Sequence, residues 1–245
     1  MPAAVRVDDV SKRFVLRPTR SLKELAVLAS KGRSDADTHV ALDHVTLDIE
    51  QGESVGLLGL NGSGKSTLLK LISGVMRPDS GKVRVAGRIA GLIEVGAGLH
   101  PALTGRENIF LNGAILGMND ADIRRHFDAI VDFSGIEKFL DTEVKFYSSG
   151  MFLRLAFSVA VHTEPDVFLV DEILAVGDEP FQRKCVERIA ALSAEGRTLV
   201  VVSHQIETVR KVCSRGVLLR EGHKVVDGPL DDAVRTLRGN PVGQK

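Results

Sequence analysis

The chain has 245 residues, 44% of them hydrophobic, and its 32 basic residues are balanced by 32 acidic ones. This length can build one large domain or two small ones, each with a buried core, and the balanced charge gives no bulk attraction for nucleic acid, so no nucleic-acid partner is expected. Cys185 and Cys213 lack metal-ligand spacing and predict reduced thiols in a cytosolic protein. No apolar run approaches the roughly 20 residues that span a bilayer. The N-terminus lacks the apolar core of a signal peptide.

The first predicted element is a strand that ends near Val10, because Val5 and Val7 alternate with charged neighbours. Phe14 follows it in a chain that has few aromatic residues. From its position alone, Phe14 is either a ring on which adenine stacks or an ordinary core phenylalanine.

Residues 17–40 form a less regular segment. Ser21 and Glu24 are spaced as in a capping box, and the apolar residues that follow share one helical face. The cations around this predicted helix are Arg17, Arg20, Lys23, Lys31 and Arg33. Such a helix suits a membrane-proximal surface, but an ordinary surface helix has the same pattern, and both interpretations stay open.

Residues 59–67, GLNGSGKST, fit the phosphate-loop pattern G-x-x-x-x-G-K-[ST] in the context that this pattern requires. An apolar strand at 54–58 precedes the run, and an apolar helical stretch at 68–72 follows it. The candidate nucleotide-binding residues of this loop are Gly59, Asn61, Gly62, Ser63, Gly64, Lys65, Ser66 and Thr67.

Each part of this loop has a physical role. The glycines allow positive φ and a close backbone approach, so that successive N–H groups can wrap a phosphate. The helix that begins near Gly64 directs its free N–H groups and its positive dipole end at the same anion. Lys65 can reach the β- and γ-phosphates, and the Ser66 hydroxyl can ligate Mg²⁺. The sequence therefore predicts a binding site for a nucleoside triphosphate.

Helical signals dominate the middle of the chain, after strand signals that reach Val95. Thr104 and Glu107 form a capping box, and Asn119 caps a further helical run. These signals continue to Phe139 and predict a helical insert between parts of an α/β domain.

A second anion site is predicted at Ser148, Ser149 and Gly150, which precede a largely buried helix over Met151–Val161. Two phosphate sites in one domain, separated by a helical insert, need not face each other. They can meet across a dimer, in which each copy closes over the nucleotide of the other.

The remaining chemical residues follow predicted strands. Asp171 and Glu172 end the strand over 167–170, where Asp171 can hold Mg²⁺ through water and Glu172 can polarise the attacking water. His204 follows the strand over 198–202 and can hydrogen-bond the γ-phosphate. Adjacent acids also occur in solvated turns, and a lone histidine is often structural. Buried β-branched strands that alternate with helices predict a largely parallel sheet.

Four motifs follow one another along the chain: the phosphate loop, Ser148–Gly150, Asp171–Glu172 and His204. In this order they resemble the motifs of the nucleotide-binding subunit of ATP-binding-cassette transporters, and the resemblance covers essentially the whole chain. It implies an α/β fold with a phosphate-loop NTPase core, an antiparallel β subdomain and a helical insert. It also implies that Phe14 stacks on adenine, that Asp178 is the acid of the loop that signals across the dimer, and that ATP and Mg²⁺ are bound.

Departures from the common family pattern narrow the resemblance. Glu94 stands where most members have a glutamine that contributes to the metal site, Ser149 replaces a glycine, and Met151 replaces a glutamine. These changes, with the motifs at 103–108 and 175–182, resemble the subfamily that exports lipid-linked polysaccharides such as O-antigen, capsule, teichoic acid or cell-wall galactan.

The resemblance implies a core at about 1–95 and 163–245, a helical subdomain at about 96–162, and no C-terminal carbohydrate-binding domain. It implies a homodimer that encloses two ATP molecules, an integral membrane permease as partner, and a peripheral location at the cytoplasmic face of the membrane. Two alternatives are a soluble cassette ATPase that assembles or regulates other proteins, and a phosphate-loop kinase. The second anion site and His204 argue against the kinase.

Overall fold

A computed structural model describes residues 2–15, 38–91, 98–171, 177–203 and 205–239 of the chain. Its strands are β1 (Ala3–Val15), β2 (Thr38–Glu50), β3 (Ser54–Leu58), β4 (Ser80–Val85), β5 (Ile89–Gly91), β6 (Val167–Asp171), β7 (Thr198–Val202), β8 (Arg215–Arg220) and β9 (His223–Pro229). Its α-helices are α1 (Lys65–Ile72), α2 (Gly105–Ile115), α3 (Asp120–Ser134), α4 (Ser149–Val161), α5 (Glu179–Ala194), α6 (Ile206–Val212) and α7 (Leu230–Leu237). The predicted helix that begins at Ser21 lies outside the described residues.

The first sheet is antiparallel, with the order β2-β1-β4. The predicted end of β1 near Val10 is wrong, because the strand continues through Phe14 to Val15. Shifts of register between Val7 and Val10 and on both sides of Lys12 interrupt the alternation of buried and exposed side chains. The period of two therefore fails in the sequence although pairing with β2 continues.

The second sheet has the order β5-β6-β7-β3-β8-β9 and is parallel except for the antiparallel pair β8–β9, which confirms the largely parallel sheet. Leu57 and Asp171 both pair with Val202, on opposite sides of β7. The carboxyl ends of β3 and β6 therefore lie at the same edge, two strand spacings or roughly 10 Å apart. This edge holds both the loop after β3 and the acid that ends β6.

The core covers both faces of the second sheet. On one face Val200 and Val202 pack with residues of the first sheet and of α1, such as Val7 and Leu69. On the other face, Leu199 and Val201 pack with residues of α4, α5 and α7. All five residues of β7 are buried, as expected of a central parallel strand.

Helices α2, α3 and α4 enclose a separate apolar cluster that includes Ile109, Ile130 and Leu155. The capping box of Thr104 and Glu107 and the cap formed by Asn119 are both confirmed. These helices lie within the range 96–162 given for the helical subdomain, whose boundaries stay a prediction. Within the described part of the chain, no helix combines the length and apolar character needed to cross a bilayer.

Candidate nucleotide-binding site

The phosphate loop joins β3 to α1, and its glycines have the positive φ that was predicted. The φ values are 149° at Gly59, 78° at Gly62 and 105° at Gly64. A Cβ atom at Gly59 would lie 2.4 Å from both the carbonyl oxygen of Leu219 and the hydroxyl oxygen of Ser63. Only glycine fits this conformation and this space without displacing its neighbours.

Two other segments fix the position of the loop. The backbone N–H of Gly222, in the β8–β9 turn, donates to the Ser63 carbonyl over 3.2 Å. A Cβ atom at Gly64 would lie 2.5 Å from the carbonyl oxygen of Ala41 in β2, so the loop and β2 are in close contact. The loop is therefore held between the two sheets, with the start of α1 beside it.

Lys65 directs its ammonium group back over the loop. The side chain is buried, and Nζ donates to the carbonyl oxygens of Gly59 at 2.8 Å and Leu60 at 3.0 Å. A triphosphate offers charged oxygens, which form stronger hydrogen bonds with an ammonium group than carbonyls do. The structure thus places this cation at the loop where the predicted anion would bind.

A cleft of about 390 Å³ opens in front of the loop. The residues that line it are Phe14, His39, Ala41, Asn61, Gly62, Ser63, Gly64, Lys65, Ser66 and Thr67. Phe14 is partly buried, and its ring lies 5.8 Å from the ammonium of Lys12, which pairs with Asp79 at 2.8 Å. Phe14 therefore belongs to the wall of the cleft and not to the closed core, which favours its predicted role as a base-stacking ring.

Two of the three predicted metal ligands lie at the same sheet edge. Ser66 is exposed at the start of α1, and the half-buried Asp171 ends β6. Within the described ranges no three acidic, histidine or cysteine side chains form a metal-binding cluster. One hydroxyl and one carboxylate nevertheless fit Mg²⁺, which is usually bound by one or two carboxylates together with phosphate oxygens. Glu94, the third predicted ligand, lies outside the described residues, as do the predicted catalytic residues Glu172 and His204.

A second cleft, of about 420 Å³, lies at the start of α4. Ser148 is the N-cap of this helix, and its hydroxyl accepts from the backbone N–H of Met151 at 3.2 Å. Ser149 is exposed and Gly150 is partly buried. The predicted position of these residues at a helix N-terminus is confirmed, and such a position favours an anion.

The same cleft contains Asp178 and a partner that the sequence did not single out, Arg154. One carboxylate oxygen of Asp178 accepts from Arg154 Nη2 at 2.5 Å and from the backbone N–H of Phe181 at 3.3 Å. The guanidinium of Arg154 also lies 5.1 Å from the centre of the Phe181 ring. The hydrogen bond from Arg154 lowers the pKa of Asp178, so the acid stays ionised in the cleft.

Among the described residues, the phosphate-loop cleft and the Ser148–Gly150 cleft share no lining residue. The two predicted anion sites therefore lie in separate clefts of one chain. Sequence reasoning did not identify His39 or Arg154 as lining residues. The signal for Arg154 was a lone cation in an otherwise apolar helix, whereas nothing local indicated His39.

Comparisons with known proteins agree with this geometry. The sequence profile of the family described as ABC transporter matches residues 42–175. The chain is 48% identical to the "ABC transporter protein AbcA" of Aeromonas salmonicida over 91% of this chain and 71% of that protein. It is 44% identical to the "O-antigen export system ATP-binding protein RfbB" of Myxococcus xanthus over 90% of this chain. This match spans 52% of the length of that relative, or about half. A solved structure titled "Structure of ATP binding subunit of ABC transporter" superposes with a TM-score of 0.77 at 25% identity, over 98% of this chain and 95% of that one.

Proposed function

The chain belongs to the ABC transporter family, and from that membership we propose that it is the ATP-hydrolysing motor subunit of an exporter. The proposed cargo is a lipid-linked polysaccharide, which moves across the cytoplasmic membrane. The similarity to an O-antigen export protein supports this cargo, as does the pattern of departures at Glu94, Ser149 and Met151.

ATP binding follows from the first cleft. The loop N–H groups and the N-terminus of α1 hold the phosphates, Lys65 neutralises part of their charge, and adenine stacks on Phe14. Ser66, Asp171 and Glu94 would hold Mg²⁺, which neutralises charge on the β- and γ-phosphates when it is bound.

Hydrolysis requires a water molecule in line with the bond that breaks. In the proposal, Glu172 polarises this water and His204 donates a hydrogen bond to the γ-phosphate. Asp171 ends a strand two positions from β3 in the sheet, and Glu172 is the next residue in the sequence. Positioning and charge stabilisation are the main sources of catalysis for a loose phosphoryl transition state.

The observation that carries the motor proposal is the pair of separate clefts in one chain. We propose that two copies associate so that Ser148, Ser149 and Gly150 of one copy face the nucleotide at the loop of the other. Each of two ATP molecules is then enclosed between subunits, and Asp178 lies beside both the helix N-terminus and the partner. Binding and hydrolysis would drive closing and opening of this dimer.

In the complete transporter, a dimer of an integral membrane permease provides the path for the glycolipid, and this chain binds at its cytoplasmic face. The test is to isolate the native complex in mild detergent and to analyse both its subunits and its bound lipid. We expect an integral membrane protein and a glycolipid to co-purify. Purification of an active ATPase free of any membrane protein would favour an assembly or regulatory role.

A further inference from the structure

We propose that His39 is a second nucleobase-contacting residue, which extends the stacking surface of Phe14. This inference rests on the proposed binding of ATP at the phosphate loop. It concerns only the base: the phosphates would be held by the loop whether or not His39 takes part. The ligand class is a nucleotide with an aromatic base.

The register of the first sheet brings the two rings together. Phe14 in β1 pairs directly with His39 in β2, and directly opposed residues of an antiparallel pair point to the same face with Cβ atoms roughly 5 Å apart. Both residues line the phosphate-loop cleft. Twenty-five sequence positions separate them, so the juxtaposition is a product of strand pairing.

The lining of the cleft shows where His39 lies. Alternation along β2 does not decide its face, because the pairing with β1 shifts register between Val40 and Leu42. Ala41, within this shift, lines the cleft, and its carbonyl oxygen is the group that a Cβ atom at Gly64 would meet. His39 lines the same cleft and is exposed there.

An imidazole at this place adds aromatic surface beside the phenyl ring. A purine is wider than one phenyl ring, so two neighbouring rings can support it better than one. Stacking on an aromatic side chain tolerates any base, because every base has a π-face. We therefore expect His39 to strengthen nucleotide binding in general without selecting one purine.

The test compares two probes, ATP and inorganic tripolyphosphate, which has the phosphates but no base. His39→Ala should weaken ATP binding roughly five- to tenfold, the low end of the effect of removing a stacked aromatic residue. The same variant should bind tripolyphosphate as the wild type does. His39→Phe should restore ATP affinity, since it restores the ring.

Two controls make the result specific. His44 lies on the same strand but outside the cleft, and its imidazole pairs with Asp9 at 2.8 Å. His44→Ala should therefore leave the affinities for ATP and tripolyphosphate unchanged. The double variant Phe14→Ala/His39→Ala should lose less ATP affinity than the product of the two single fold-losses, because both substitutions remove parts of one stacking surface.

Unchanged ATP affinity in His39→Ala, or equal losses for ATP and tripolyphosphate, would overturn the inference. A failure of the proposed function looks different: wild-type protein would then bind neither ATP nor tripolyphosphate at the loop. Thermal melting of each variant identifies any loss that is due to unfolding.

Discussion

Replacing Ser149 by glutamate should block ATP-dependent dimerisation while leaving the folded subunit intact. Ser149 is the first residue of α4 and is exposed at the second cleft. A carboxylate in the first turn of a helix interacts favourably with the helix dipole, by about 0.3–1 kcal/mol. The subunit should therefore melt at the same temperature as the wild type or slightly higher.

The cost appears only when a second copy brings its nucleotide. Two unit charges about 4 Å apart repel by about 4 kcal/mol at an effective dielectric constant of 20, and by about 1 kcal/mol in bulk water. The cleft is open, so the effect lies between these limits. The proposed dimer contains two such sites, so the total repulsion is about 2 to 8 kcal/mol and the dimer dissociation constant should rise by a factor between roughly thirty and a million.

Sedimentation in the presence of ATP and Mg²⁺ measures this constant, in a Glu172→Gln background that preserves the nucleotide. Ser149→Gln is the matched control, because it has the same size without the charge, and it should still form the dimer. Nucleotide binding to the Ser149→Glu monomer should be normal. An ATP-induced dimer of equal stability with and without the glutamate would refute the placement of Ser149 against a partner's nucleotide.

Three further changes probe the rest of the account. Glu172→Gln should retain ATP binding while hydrolysis falls by roughly 10²-fold or more, the usual scale for a lost general base or water-positioning group, as a phosphate-release assay would measure. Arg154→Gln should weaken ATP-dependent dimerisation at unchanged monomer affinity for ATP, because Asp178 loses the guanidinium that holds it. Gly59→Ala should lower ATP affinity at least tenfold by calorimetry, since its Cβ atom would overlap two oxygens and its backbone conformation disfavours a side chain.

Each of these changes has a control or a contradicting result. For Glu172→Gln, near-normal turnover would mean that another group polarises the attacking water, and His204 would be the next candidate. Arg183→Gln removes an exposed cation from α5 and should dimerise normally. Gly228→Ala introduces a methyl group with no atom within 4 Å and should bind ATP normally.

The pKa of Asp178 also fixes the pH dependence of the Arg154 effect. Because the pKa of Asp178 is lowered in the folded protein, the Arg154–Asp178 pair stabilises the fold fully above the ordinary carboxyl pKa. This stabilisation is lost as the pH falls through the lowered pKa. The ratio of the dimer dissociation constants of Arg154→Gln and wild type should thus be constant from about pH 6 to 8. A ratio that grows or falls to one across this range would mean that another titrating group causes the effect of the substitution.

Local patterns predicted much of the fold, and non-local pairing supplied the rest. The loop after β3 follows from a strand, a glycine pattern and a helix that are contiguous in sequence, and its positive φ values agree with that pattern. The short helix α6 was not predicted, because its N-cap residue Gln205 makes no capping hydrogen bond with its side chain. The proximity of Phe14 and His39 was likewise out of reach, since it depends on the register of β1 against β2.

The candidate site was predictable in kind but not in its contacts. A lone cation in an apolar helix was the available signal for Arg154, but its partner Asp178 lies 24 positions away on another element. Their meeting depends on how α4 packs beside the start of α5, which no local pattern specifies. The predicted helix at 17–40 and the roles of Glu94, Glu172 and His204 stay predictions.

The central claim is that ATP hydrolysis by this chain drives export of a lipid-linked polysaccharide. The direct measurement is made in cells whose chromosomal copy carries Glu172→Gln, by following the glycan at the cell surface and its lipid-linked form in the inner leaflet. The account predicts that surface glycan is lost and that the lipid-linked form accumulates on the cytoplasmic side. Normal surface glycan in cells that depend on the hydrolysis-deficient subunit would contradict the claim.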